Sequence, residues 1–140
     1  MPRTFRLDFD GYWRDANIDG VPEEAGVYLV YACEFNKPQG TVKLRKLLYV
    51  GEAEDVRTRI KDHEKRDCWE GELSQGEEIC FSFTPLDDPN RERAEAALIY
   101  QHKPECNDEH KDEFNYETTT VISTGKCKFI VPSFTIQALG

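Results

Sequence analysis

The chain has 140 residues, of which 18 are basic and 27 acidic, giving a formal net charge of −9. A surface of that sign repels polyphosphate at long range, and the sequence holds no apolar run near the ~18 residues of a membrane span. The length suits one domain, 1–140, built around one core.

The average charge hides an asymmetry, because basic side chains outnumber acidic ones only between positions 37 and 66. A local phosphate site there stays open, since charges beyond about 8 Å are largely screened at physiological salt. The plainer alternative is that Lys43, Arg45, Lys46, Lys61, Lys65 and Arg66 solvate a strand and a helix. Five cysteines, Cys33, Cys68, Cys80, Cys106 and Cys127, show no CxxC spacing, and an odd number cannot all pair internally. Reduced thiols are therefore expected, in keeping with a reducing cytosol. The amino terminus "MPRTFRLDFDGYW" lacks the basic-then-apolar layout of a signal peptide, so a cytoplasmic location is expected.

In chain order, "TFRLDF" alternates Phe5, Leu7 and Phe9 with polar residues and predicts a half-buried strand. After the turn-rich "DANIDGVPEEAG", the run "GVYLVYACEF" predicts a strand from Gly26 to Phe35. "NKPQGTVK" carries the Asn, Pro and Gly of a reversal, and "LRKLLYVG" reads as the returning strand of an antiparallel hairpin. Val56, Ile60 and His63 at i, i+4 and i+7 predict a helix from Asp55 to Arg66, with Asp55 as its cap. "KRDCWEGELSQGEE" is compatible with a short helix, and "ICFSFTPL" alternates as a third strand. Asp88 and Pro89 predict the start of a second helix, which stops before Pro104. The tail predicts two strands, "YETTTVIS" and "KFIVPSFTIQA", around a turn at Thr124 and Gly125, with Pro132 placing the last one at a sheet edge. The resulting class is α+β: a central, mainly antiparallel sheet flanked by helices.

On the helix from Asp55, Arg59 and His63 stand at i, i+4 beside the apolar stripe of Val56 and Ile60. An arginine so placed needs an anionic partner. Glu95 is an acidic residue within the apolar run "AEAALI" and equally needs a cation, a metal or a donor. The simplest reading of this pair is an Arg59–Glu95 salt bridge between helices. Tyr28 and Tyr49 read as strand aromatics filling a core.

Taken jointly, these residues resemble the GIY-YIG nuclease family. "GVY" (Gly26, Val27, Tyr28) is similar to its first signature and "YVG" (Tyr49, Val50, Gly51) to its second. Arg59 falls where the family has its catalytic arginine, and His63 where it has histidine or tyrosine. Glu95 resembles the family's metal-binding glutamate, and Asn107 in "KPECN" its closing asparagine. The correspondence implies a GIY-YIG-like core at about 24–108 and a C-terminal β extension at about 114–139.

The resemblance implies a metal-dependent endonuclease acting on DNA, with Glu95 anchoring one Mg²⁺ or Mn²⁺. It implies Arg59 on the non-bridging phosphate oxygens, Tyr28 as the base toward the attacking water with His63 as its rival, and Tyr49 orienting the reactants. Asn107 would fix the glutamate and the helix end, and Gly51 would let the backbone turn tightly beside the substrate. Glu52, Glu54 and Asp55, directly after "YVG", would either weaken phosphate binding or add a metal ligand. Target selection would then come from the domain itself, from dimerisation or from a protein partner. The alternative function is a non-catalytic module on the same scaffold, binding a protein or nucleic acid. A remote further idea is a zinc site from His102, Cys106 and Cys127, whose spacing is not that of a standard zinc motif.

Overall fold

The computed structural model describes residues 1–139. Six strands form one sheet: β1 (Arg3–Arg14), β2 (Gly26–Asn36), β3 (Thr41–Ala53), β4 (Glu78–Pro85), β5 (Thr119–Gly125) and β6 (Ser133–Ile136). Three helices accompany it, α1 (Val56–Lys61), α2 (Arg66–Gly71) and α3 (Asn90–His102). The sheet order is β3-β2-β4-β1-β5-β6, with every neighbouring pair antiparallel except the parallel pair β1–β5. The fold is α+β, as the sequence predicts, and the strand that follows Pro132 does lie at an edge.

β1 is longer than its alternating pattern indicates. Its first half, Arg3 to Phe9, pairs with β5 and buries Phe5, Leu7 and Phe9 on one face. Its second half, Asp10 to Arg14, leaves β5 and pairs with β4. There the side chains lie mostly half-buried, so no period-2 signal marks the extension.

Both faces of β2 are covered, which explains why "GVYLVYAC" reads as a continuous apolar run rather than an alternation. Val27, Leu29 and Tyr31 face α3 and its Ala94, Ala97 and Leu98. Tyr28, Val30 and Ala32 face the opposite layer, where Val56, Ile60 and Trp69 arrive from α1 and α2. α3 ends at Lys103, in the left-handed region at φ 47°, one residue before Pro104. At the other end of α3, Pro89 occupies the N-cap position without a side-chain cap, so Asp88 does not have the capping role expected of it.

Arg93 ties the added strands to this core. Its Nε donates to Thr119 Oγ1 at 2.8 Å, and its NH2 group donates to the carbonyl oxygens of Met1, Glu117 and Thr118. One guanidinium thereby satisfies backbone acceptors where β1 and β5 begin.

Two expectations need correction. The helix predicted from Asp55 to Arg66 is broken: α1 closes at Lys61, Asp62 leaves helical geometry at φ −136° and ψ 66°, and α2 starts at Arg66. Arg66 replaces the lost turn by donating through Nε to the Ile60 carbonyl at 2.9 Å, while its guanidinium pairs with Asp15. The thiols are not all reduced either. Cys33–Cys80 joins β2 to β4 within the core, Cys68–Cys106 joins α2 to the segment after α3, and only Cys127 is free. Partners 47 and 38 residues apart meet through strand pairing and helix docking, neither of which is visible in linear spacing. No helix among the described residues is long and apolar enough to cross a membrane.

Candidate active site

A cleft of about 370 Å³ opens at the β3 edge of the sheet, within the size range of small-ligand sites. Its lining includes Tyr28 from β2, Tyr49 and Glu52 from β3, Arg59 from α1, Glu64 and Lys65 from the inter-helix segment, Glu95 from α3, and Asn107, Asp108 and Glu109 beyond it. Tyr28, Tyr49, Arg59 and Glu95 are thus brought together from four separate elements, and His63 stands outside the lining with its ring 5.1 Å from Tyr49 and 6.3 Å from Tyr28 between centroids.

The hairpin explains the placement of the tyrosines. Tyr28 is opposite Gly51 in the β2–β3 register, and its phenol lies across the glycine. A Cβ at Gly51 would collide with the Tyr28 ring and hydroxyl. Gly51 therefore makes room for a side chain inside a continuous strand, rather than turning the backbone as expected. Gly26 is constrained in the same way, since a Cβ there would meet the Thr84 carbonyl and the Phe83 ring.

Asn107 also departs from expectation. Its Oδ1 accepts from the Val50 N–H at 3.0 Å and its Nδ2 donates to the Val50 carbonyl at 2.9 Å. The neighbouring Cys106 N–H donates to the Leu48 carbonyl at 3.0 Å. Asn107 thus fixes the outer edge of β3 instead of the glutamate, supplying the partners that a seventh strand would have given.

Glu95 and Arg59 do not pair. The guanidinium of Arg59 donates to Glu64 Oε1 at 2.6 Å. Among the described residues Glu95 has no ion-pair partner, and burial, then Glu52 and Glu109, push its carboxyl up to about 8. Burial likewise raises Tyr49 to about 12 and Tyr28 well above the ordinary phenol value. Nearby Arg59 opposes both shifts but does not reverse them.

His63 is not on the Arg59 helix, because the break at Asp62 turns it inward. Its ring packs against Trp69 at 4.8 Å and Tyr49 at 5.1 Å between centroids. The Lys65 backbone N–H donates to Nδ1 at 3.0 Å, so in the neutral ring the proton resides on Nε2. Burial, reinforced by Arg59, lowers its pKa to about 4. The ring nitrogen that could accept a proton is therefore already engaged. Nε2 is buried without a protein partner.

The three carboxylates after "YVG" have separate roles. Asp55 caps α1, accepting from the Thr58 N–H at 3.2 Å and from its hydroxyl at 3.0 Å. Glu52 pairs with Arg91 at 2.9 Å, and Glu54 is exposed outside the cleft lining. Glu64 and Arg91 are the partners that sequence reading missed. Arg91 meets Glu52 only through the docking of α3, and Glu64 meets Arg59 through the break after α1.

The zinc idea fails on its ligands. Cys106 is bonded to Cys68, and both ring nitrogens of His102 are engaged, by the Leu98 carbonyl and the Val131 N–H. Among the described residues no three His, Cys, Asp or Glu side chains converge to cage a metal. A divalent cation at Glu95 would therefore complete its shell with water and substrate oxygens, a habit that suits Mg²⁺.

Fold and site together define an α+β domain with an acidic cleft that combines a largely buried carboxylate without an ion-pair partner among the described residues, one arginine and two tyrosines. Among curated proteins the chain is similar to the UvrABC system protein C of two Halobacterium salinarum strains, with 28% identity over 110 residues in each. That match covers 77% of this chain but 18% of those relatives, so the chain spans a small part of their length. No family model and no solved structure matches the sequence.

Proposed function

We propose that the chain is a GIY-YIG-type endonuclease domain that hydrolyses DNA phosphodiester bonds with the help of one divalent cation. The observation that carries this reading is the Glu95 carboxylate, largely buried and held across one cleft from Arg59, Tyr28 and Tyr49. Glu95 has no ion-pair partner among the described residues, and Arg59 is paired with Glu64. The similarity to UvrABC system protein C supports the same reading.

The donor set fits a hard cation, since the cleft offers carboxylate, phenol and carboxamide oxygens and no thiolate. Glu95 would hold Mg²⁺ or Mn²⁺, which when bound supplies polarisation of the phosphate and of the leaving oxygen. Arg59, released from Glu64, donates its planar fork to the non-bridging oxygens. Tyr28 holds the attacking water through its phenol oxygen, and the positive charge of Arg59 favours the phenolate form able to take the water's proton, against the burial that raises its pKa. Tyr49 orients these groups, the His63 ring packs against Tyr49 and fixes its position, and Asn107 keeps β3 in register.

A second reading, a non-catalytic binding module, is favoured by the two cations of the cleft, Arg59 and Lys65, both being paired within the chain. One experiment separates the two. Supercoiled, linear, branched and single-stranded DNA are incubated with wild type, Glu95→Ala and Arg59→Ala proteins, with and without Mg²⁺ or Mn²⁺. The nuclease reading expects metal-dependent nicking by wild type alone. Equal cleavage by the folded variants, or binding without cleavage of any form, defeats it.

A further inference from the structure

The break in the predicted helix builds a bracket out of three consecutive residues. His63 is anchored inward among aromatic rings, Glu64 reaches Arg59, and Lys65 reaches Asp108. The Lys65 N–H bond to His63 Nδ1 closes the turn. Glu64 is therefore presented by a fixed backbone, although its side chain is 63% exposed. Arg59 alone among the motif residues has its functional atoms already engaged by a carboxylate of this chain.

We propose that Glu64 is a positioning residue that sets substrate selectivity by occupying the phosphate-binding face of Arg59. It rests on the nuclease reading for the identity of the substrate. A carboxylate five residues away competes at the high effective concentration of a tethered group, about millimolar or above. An isolated phosphate, as inorganic phosphate or a mononucleotide, brings one weak contact and does not displace it. A polynucleotide brings several backbone contacts at once and releases counterions along its length. Glu64 thereby reserves Arg59 for a polymeric substrate. It does so without touching the reacting atoms, and when it leaves it turns outward to solvent.

The test measures the affinity for inorganic phosphate, and separately for a DNA duplex, by titration calorimetry in the absence of divalent metal. Wild type, Glu64→Gln, Arg59→Lys, the Glu64→Gln/Arg59→Lys double variant and the control Glu70→Gln are compared. In Glu64→Gln, inorganic phosphate should bind about fivefold more tightly, the upper range for an exposed ion pair, while duplex affinity changes less. The gain should vanish in the Arg59→Lys background and be absent in Glu70→Gln. In cleavage assays Glu64→Gln should lower KM for a dinucleotide with kcat retained. The proposal is overturned by unchanged phosphate affinity in Glu64→Gln, by an equal gain in Glu70→Gln, or by a gain that persists with Arg59→Lys. Because binding is measured without turnover, a protein that cleaves no DNA but shows the phosphate gain loses the nuclease reading and keeps the role of Glu64.

Discussion

Asn107 closes both backbone hydrogen-bonding groups of Val50, accepting from its N–H at 3.0 Å and donating to its carbonyl at 2.9 Å. Val50 lies between Tyr49 and Gly51, so this pair sets the height of the strand that carries the tyrosine. Asn107 is 5% exposed, and truncating it leaves buried backbone groups unpaired.

Asn107→Ala should therefore destabilise the protein by about 2–4 kcal/mol, two unmade bonds at one to two each. Asn107→Asp keeps the acceptor but sets a carboxylate oxygen against the Val50 carbonyl, so at neutral pH it should be at least as destabilised as Asn107→Ala. Urea midpoints at constant slope check both; an Asp variant as stable as wild type would contradict the pairing.

Glu95 yields a prediction opposite to that for a salt-bridged acid. Its carboxyl titrates near 8 when folded against an ordinary value of 4.5, so the folded state holds the extra proton between these values. Stability then falls as pH rises through that window, and the full cost is present above it. Glu95→Gln should be more stable than wild type at about pH 9, by on the order of 2 kcal/mol, and equal to it below about pH 4.5. Mg²⁺ or Mn²⁺ should raise the Tm of wild type and leave that of Glu95→Gln unmoved.

His63 acts at the other end of the pH scale. Its folded pKa of about 4 lies below the ordinary 6.5, so the unfolded chain takes up the proton first as pH falls. The stability is fully present above 6.5 and is lost progressively down to 4, amounting to about 3 kcal/mol. Replacing His63 by Gln should flatten that part of the stability-versus-pH curve. A wild-type slope that survives the substitution would assign the titration to another group.

The disulfides predict a thiol count. Denatured without reductant, each chain should react with one equivalent of a thiol reagent, at Cys127, and with five after reduction. Loops of 47 and 38 residues correspond to about 4 kcal/mol each in the chain-entropy account, so Cys68→Ala/Cys106→Ala should lower stability by that order. Cys68 is half-exposed whereas Cys33 and Cys80 are buried, so gentle reduction should open Cys68–Cys106 first.

Much of this protein is written locally in its sequence. The hairpin of β2 and β3, the alternating β4, the stop of α3 before Pro104 and the edge position after Pro132 follow from side-chain period, turn chemistry and proline sterics, which act over a few residues. Tyr28, Tyr49, Arg59 and Glu95 are legible as a set through the family resemblance of their motifs, and they do meet in one cleft. What decides the rest is contact between distant parts of the chain. The break at Asp62 goes with the burial of His63 against Trp69 and with the Arg66 Nε–H donating to the Ile60 carbonyl. The choice of Glu64 over Glu95 for Arg59, of Val50 for Asn107, and of Cys80 and Cys106 as disulfide partners depends on which groups the sheet order brings within bonding distance. Periodicity specifies which face a residue takes, but only the packed tertiary structure specifies what it finds there.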